Sequence, residues 1–354
     1  MDEIKQLVHV SDEASGFTRR KCGKGFYYCD AHKVRITDQQ TIDRIKKLTI
    51  PPMWKKVWIC PKPNGYLQAT GYDAKNRKQY IYHPLWTAYR QTTKFNHLLE
   101  FGMHLPAIRT AVKKDLRRKG WPKEKVLALA VTLLDEYYLR VGNEQYQVEN
   151  GTYGLTTLRR KHLLENGGKL EISYRSKSGQ YRNISIKNKR LVKLIKQTSE
   201  LPGYEVFRYL EKGQSKKIDS QDVNEYLREI TQFDFSAKNF RTWGGTLLAV
   251  THYEQAVEEC MQNSKLHLET TIVKKVAEIL GNTVAVCREY YIHPRVLEVL
   301  KNQKLFQYQE QPLPLSVAVE YLSETEQLIL RILYKFCKRK PRVIKSDQKE
   351  FVAA

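Results

Sequence analysis

No apolar run in the chain approaches the roughly 18 to 20 residues that a membrane span requires. The first residues, MDEIKQLVHVSDEAS, offer neither the basic start nor the apolar stretch of a secretory signal. A protein that stays inside the cell, without membrane contact, is therefore expected. Cysteine is sparse and unpatterned: Cys22, Cys29, Cys60, Cys260, Cys287 and Cys337 form no C-x-x-C pair. That argues against a zinc site and, in a chain of this length, against a disulfide framework, so free thiols in a reducing compartment are expected. Neither G-x-x-x-x-G-K-[ST] nor H-E-x-x-H occurs, so no motif points to ATP or to catalytic zinc. Acidic residues are also short, with 38 Asp plus Glu against 61 Lys plus Arg, a net charge of +23.

What is present is a folding composition, with 28% charged and 41% hydrophobic residues. The charge is thus layered onto a globular chain and does not mark a disordered tail. Fixed positive charge on a folded surface indicates a polyanionic partner, nucleic acid first. The alternative is a basic protein whose charge serves solubility alone. At 354 residues the chain exceeds what one compact core usually organises, and two domains are expected.

Residues 16 to 82 alternate short aromatic or β-branched stretches with Gly, Asn and Asp, the pattern of short antiparallel strands. One helix interrupts them near 38 to 48, where Ile42, Ile45 and Leu48 recur at helical spacing and Pro51-Pro52 stops it. From about residue 84 the period becomes helical, with breaks expected near Gly102 and Pro106 and an end at Gly120. Pro122 opens an amphipathic helix with Leu127, Val131, Leu134 and Tyr138 on one face and Arg140 at its end. Residues 170 to 186 return to period two around Ser176-Lys177-Ser178-Gly179, a β-hairpin with a lysine at its tip. Beyond it the chain reads as helical to about 338, followed by a basic tail from Lys338 to Lys349. The expected fold is α+β: a small antiparallel β-rich domain over 1–84 and a larger, mainly helical domain over 85–354 carrying a single hairpin.

Four segments put polar, phosphate-compatible groups beside helix ends or turns: 139–163, 176–179, 238–249 and 281–297. Any one of their arginines, taken alone, reads as a surface charge. Together with RRKCGKGFYY, the run IPPMWKKVWICPKPNGYLQATGYDAKNRKQYIYHP, RVGNEQY, YGLTTLR, KSG, KNFRT and NT-x6-YYIHP, however, the chain resembles the type IB DNA topoisomerases in their short bacterial and poxvirus form. The resemblance covers nearly the whole chain, in family order.

The resemblance implies a tyrosine recombinase/topoisomerase IB-like catalytic domain and, residue by residue, a site. The arginine of R-V-G-N-x-x-Y falls on Arg140, the hairpin lysine on Lys177, the arginine of K-x-x-R-T on Arg241 and the nucleophile before I-H-P on Tyr291. Where poxvirus and eukaryotic members carry His, Asn282 stands here, which points to the bacterial branch. Val284 replaces a usual Pro. Arg77, Gln79, Tyr80 and Tyr82, in and before the Q-Y-x-Y strand, are expected to contact the major groove, Tyr146 to touch the backbone near the scissile phosphate, and Lys238 to contact DNA. The implied partner is duplex DNA, clamped by a monomer in the bacterial nucleoid. No cofactor and no metal are implied.

The chemistry accounts for these residue types. Attack on a phosphodiester builds charge on the non-bridging oxygens, and Arg140 and Arg241 would offer planar, always-charged forks to them. Asn282 can donate an N–H but cannot serve as an acid. A phenol, with a pKa of about 10, is mostly protonated at neutral pH and needs cations to stabilise its attacking form. Lys177, expected beside two guanidinium groups that lower its pKa, would protonate the leaving 5′-oxygen; the structural alternative is a solvated turn lysine. For the tyrosines the alternative is packing, and adjacent Tyr290 is the rival nucleophile. A tyrosine recombinase is disfavoured because those enzymes carry H-x-x-R where this chain has Lys238-Asn239-Phe240-Arg241. An inert DNA-binding protein is disfavoured because phosphate binding alone has no use for Tyr291.

Overall fold

The computed structural model describes residues 6–23, 25–74, 76–313 and 318–337; the basic tail from Lys338 lies outside them. The chain divides into two compact units, residues 1–95 and 96–354. Among the described residues no helix is long and apolar enough to cross a membrane.

The first unit is built on β1 (Phe17–Cys22), β2 (Gly25–Cys29), α1 (Gln39–Lys47), β3 (Lys55–Ile59), β4 (Leu67–Tyr72) and β5 (Lys78–Tyr82). The strands form one antiparallel sheet in the order β2-β1-β3-β4-β5, with β5 at an edge. α1 begins where the Asp38 side chain accepts from Thr41 N–H and ends in the basic turn Arg44, Lys46 and Lys47, charges that suit the two ends of a helix dipole. It buries Ile45 against Val57, Ile59 and Ala69 of the sheet. The Arg19 guanidinium donates to the carbonyls of Ile50, Pro51 and Trp54 at 3.0, 2.9 and 2.8 Å and lies 4.2 Å over the Phe26 ring. The RRK and IPPMW motifs are thus two halves of one structural tie.

α2 (Pro84–Asp115) begins in the first unit and continues into the second, which goes on with α3 (Lys123–Tyr137), α4 (Glu144–Asn150), β6 (Leu163–Asn166), β7 (Lys169–Arg175), β8 (Tyr181–Ile186), α5 (Lys189–Ser199), β9 (Arg208–Glu211), β10 (Gln214–Lys217), α6 (Ser220–Thr231), α7 (Ala237–Thr251), α8 (Tyr253–Gln262), α9 (Leu268–Leu280), α10 (Val284–Tyr290), α11 (Pro294–Lys301) and α12 (Glu324–Phe336). α3 buries every residue from Val126 to Val131, then Leu133 and Leu134. That is more than the one face expected, as befits a helix at the centre of a bundle.

Three local expectations change. α2 runs through Gly102 and Pro106 without a break. A Cβ on Gly102 would sit 2.4 Å from the Trp243 ring, so the residue that weakens the helix is the one that lets α7 pack against it, and burial of Phe101, Leu105 and Ile108 offsets the lost proline hydrogen bond. The hairpin gains a third strand, β6, through Gly167-Gly168, both at positive φ. A further hairpin, β9–β10, closes through Lys212-Gly213, again both at positive φ, the two-residue geometry that suits a twisted antiparallel pair.

Candidate active site

The site is organised by the end of one helix. α9 stops at Gly281, whose φ of +59° is a left-handed cap. A helix end leaves carbonyls without intrahelical donors and carries partial negative charge. Here three consecutive carbonyls are each taken by a different arginine. Ile279 accepts from Arg182 Nη1, Leu280 from Arg241 Nη2 at 3.0 Å, and Gly281 from Arg140 Nη2 at 3.0 Å. Among the described residues no carboxylate pairs with any of the three guanidinium groups.

Arg140 lies three residues past α3, after Tyr138, whose φ of +53° turns the chain out of the helix. Leu155 N–H donates to the Arg140 carbonyl at 2.8 Å and Thr156 N–H to that of Val141 at 2.7 Å. A Cβ on Gly154 would fall 2.5 Å from Gly142. The glycines of R-V-G-N and Y-G-L-T-T are therefore needed where the two segments touch. The Arg140 guanidinium also donates to Ser176 Oγ at 2.9 Å and to Asn282 Oδ1. Burial, and then the neighbouring Arg241, push its pKa down to about 10.

Arg241 is buried in the first half of α7. Its Nη1 donates to the Tyr138 carbonyl, its Nε is buried without an acceptor, and its guanidinium carbon lies 5.0 Å over the Tyr291 ring. The next turn of α7 is shaped around the same partners. A Cβ on Gly244 would meet the Tyr138 ring at 2.2 Å, and one on Gly245 would meet the Tyr291 carbonyl oxygen at 2.5 Å. Thr246 Oγ1 accepts from His293 N–H at 3.0 Å. α10 starts at Val284, capped by the Thr283 side chain, and ends at Tyr290, with Tyr291 as its C-cap. Tyr291 is half-buried against Arg241, whereas Tyr290 is exposed.

Asn282 turns its oxygen to Arg140. Apart from a weak approach to the Cys287 sulfur, its Nδ2 is buried without an acceptor. Burial pushes that Cys287 thiol up to about 11, against Arg241, Asn282 and Arg140, so it stays protonated at neutral pH and is a poor nucleophile.

The structure thus brings together Arg140, Arg241, Asn282 and Tyr291. Lys177 is set apart: it is exposed at the tip between β7 and β8, and the contact joining this tip to the guanidinium cluster comes from its neighbour Ser176. Lys238 is exposed one turn before Arg241, and Tyr146 is exposed on α4. On β5, Tyr80 and Tyr82 are exposed with rings 6.0 Å apart and nearly parallel, and Lys78 lies over Tyr80. Gln79 falls on the opposite face by strand alternation and donates to Asp73 at 3.1 Å, where Arg77 also binds, at 2.6 Å. Sequence reasoning missed Ser176, Arg182 and Gly245. For Arg182 a signal existed, since it shares strand parity with Ile184 and Ile186 and so faces inward.

Residues 77–313 match the family described as the catalytic core of eukaryotic DNA topoisomerase I, and residues 25–73 match the N-terminal domain of bacterial DNA topoisomerase IB. DNA topoisomerase 1B of Acanthamoeba polyphaga mimivirus is 32% identical over 301 residues, 82% of this chain and 89% of that protein. DNA topoisomerase 1B of vaccinia virus (strain Copenhagen) is 23% identical over 235 residues, 66% and 72% of the two chains. A solved XerH site-specific recombinase is similar over 58% of this chain and 50% of its own at 15% identity, with a TM-score of 0.37, too distant a likeness to argue from. The catalytic-core match spans more than half the residues and the mimivirus relative aligns over most of both chains; this chain belongs to the type IB DNA topoisomerases, a family of isomerases.

Proposed function

We propose that the protein relaxes positive and negative supercoils by cutting one strand of duplex DNA, letting the free end swivel, and resealing it, without ATP or metal. The observation that carries this reading is a set of buried donors awaiting an anion beside a tyrosine. Arg140 and Arg241 are held on neutral carbonyls, and Arg241 Nε and Asn282 Nδ2 are buried without hydrogen-bond acceptors. A buried donor without an acceptor costs about 1–3 kcal/mol, a cost relieved when phosphate oxygens arrive. Charge building on those oxygens then meets preorganised donors.

The step exchanges one phosphodiester for another. Tyr291 Oη forms a bond to phosphorus, the bond from phosphorus to the 5′-oxygen breaks, and the phenol proton is lost to solvent as the 5′-oxygen takes a proton from Lys177. The product is a 3′-phosphotyrosyl link and a free 5′-hydroxyl. The two esters are of similar free energy, so resealing is the same step reversed and draws on no nucleotide. Arg241 over the Tyr291 ring supports Tyr291 rather than exposed Tyr290 as the nucleophile. Lys78, Tyr80, Tyr82, Tyr146 and Lys238, all exposed, suit contacts to the duplex, with the protein acting as a monomer in the nucleoid.

The test is supercoiled plasmid in EDTA with a denaturant quench. Wild type is expected to relax both signs of supercoil and leave a covalent adduct; Tyr291→Phe is expected to bind DNA and form none. An adduct that survives in Tyr291→Phe and vanishes in Tyr290→Phe would shift the nucleophile by one residue, and a strict magnesium requirement would overturn the metal-free step.

A further inference from the structure

We propose that Arg182 is a positioning residue that docks the β7–β8 hairpin onto the end of α9 and thereby sets where Lys177 can reach. The proposal rests on the reading of Lys177 as the proton donor. In the pairing of β7 with β8, Leu170 faces Ile186, Ile172 faces Ile184 and Tyr174 faces Arg182. The first two pairs are apolar and buried, so the last inward pair before the tip holds a buried arginine where the pattern calls for another apolar side chain.

Among the described residues that arginine pairs with no carboxylate. It lies beside the Tyr174 phenol and donates to the Ile279 carbonyl. Its stem packs where a Cβ of Gly281 would be, 2.7 Å from Arg182 Cδ. A buried charge on so weak an acceptor is poor for stability, and an apolar side chain of similar volume would serve the fold at least as well. What the guanidinium adds is direction, because it fixes β8 to the residue three before Asn282.

A second tether stands on the other side of the tip. Ser176 is fully buried, its Oγ accepts from Arg140, and its backbone closes the turn through Gln180 O at 2.7 Å and Gly179 N–H at 3.0 Å. Lys177 therefore sits between two anchors, Ser176 before it and Arg182 after it, and both lead to residues 279–282. A lysine stem is flexible, so the position of its Cα decides which phosphate its ammonium meets. Arg182 is placed here as a positioning residue, held on the Ile279 carbonyl and beside Tyr174.

The test uses single-turnover cleavage of a duplex carrying oxygen or sulfur at the bridging 5′ position, since a thiolate leaves without needing the proton from Lys177. Arg182→Gln is expected to slow cleavage of the oxygen substrate about 30- to 100-fold, the scale of a misplaced acid. With sulfur it should stay within about 3-fold of wild type, and adding it to Lys177→Ala should cost little more, the signature of two residues acting through one step. Ser176→Ala should show the same pattern in milder form. Arg182→Lys, which keeps the charge and loses the planar fork, carries the same comparison if Arg182→Gln does not fold by thermal melting. A defect of equal size on both substrates would mean that Arg182 acts through Arg140 or Arg241, and would overturn the proposal. Failure of sulfur to rescue Lys177→Ala would instead sink the proton-donor reading beneath it.

Discussion

Asn282→Asp separates the fold's interest from the reaction's. The side chain accepts from Arg140 through Oδ1 and holds Nδ2 buried and without an acceptor. The substitution keeps the acceptor, removes the donor and adds a charge in contact with a guanidinium that burial has pushed down to about 10. Two unit charges about 4 Å apart interact by about 4 kcal/mol at an effective dielectric of 20. Desolvating the new carboxylate takes back a share, leaving a net gain of about 1–2 kcal/mol and a rise in melting temperature of roughly 2–8 °C. The same charge opposes the scissile phosphate by about 3 kcal/mol at slightly longer range, and the lost donor removes about 1.5–3 kcal/mol more. Cleavage should therefore fall by about 10³- to 10⁴-fold. Thermal melting and a single-turnover cleavage assay on one DNA duplex read the two effects. Asn282→Ala is the control, expected to melt lower because it leaves an Arg140 N–H without a partner. If Asn282→Asp melts below wild type and cleaves at the wild-type rate, the picture of a donor-rich anion pocket is wrong.

Gly245→Ala should lower cleavage by at least about 100-fold while sparing DNA binding and helix content. The new Cβ would press on the Tyr291 backbone at 2.5 Å, although alanine otherwise favours a helix by about 1 kcal/mol; unchanged cleavage would refute the tight approach of α7 to Tyr291. His162 predicts an acid limit. Its Nδ1 accepts from Arg159 N–H and its ring lies 4.4 Å from that of Tyr153, and burial, then Lys161 and Arg159, push its pKa down to about 4. As pH falls, the unfolded chain takes this proton first. The contribution is whole above about pH 6.5 and is lost progressively toward pH 4, up to about 3 kcal/mol. Denaturant midpoints at pH 7 and pH 4.5 should converge in His162→Gln; an unchanged pH slope would exclude His162 as the source.

The candidate site is more fully legible in the sequence than the details of the fold. Arg140, Arg241, Asn282 and Tyr291 were legible because each is a chemical type at a fixed place in a motif, and motif spacing survives whatever the backbone does between. α1 was legible too, since Asp38, the apolar spacing and Pro51-Pro52 agree. Continuity of α2 was not: Gly102 and Pro106 are local breakers, and the reason they are tolerated, the Trp243 ring against Gly102, lies far away in sequence. The β6 and β9–β10 pairings hid for a related reason, as each strand is four residues long, too short for a period to show. Asp73 likewise redirects Gln79 and Arg77 through contacts that the Q-Y-x-Y pattern does not encode.

A net charge of +23 cannot tell a gripping cation from a reacting one, but two arginines in the second unit show how the distinction is made. Arg109 lies between Asp135 and Glu326 at 2.8 and 2.7 Å and donates to the Tyr321 carbonyl as well. Those carboxylates hold its pKa above the ordinary arginine value against the pull of burial. Such an arginine is saturated, and a phosphate would have to displace charged partners to reach it. Arg140, similarly withdrawn from water, has among the described residues only carbonyl and hydroxyl oxygens and the end of a helix, and its pKa moves the other way. Neutral acceptors orient a guanidinium without neutralising it, so its full charge is left for an incoming anion. On the proposed reading the DNA-free site is a source of instability that bound phosphate would relieve, and linkage predicts that the second unit is held more tightly folded on DNA than off it.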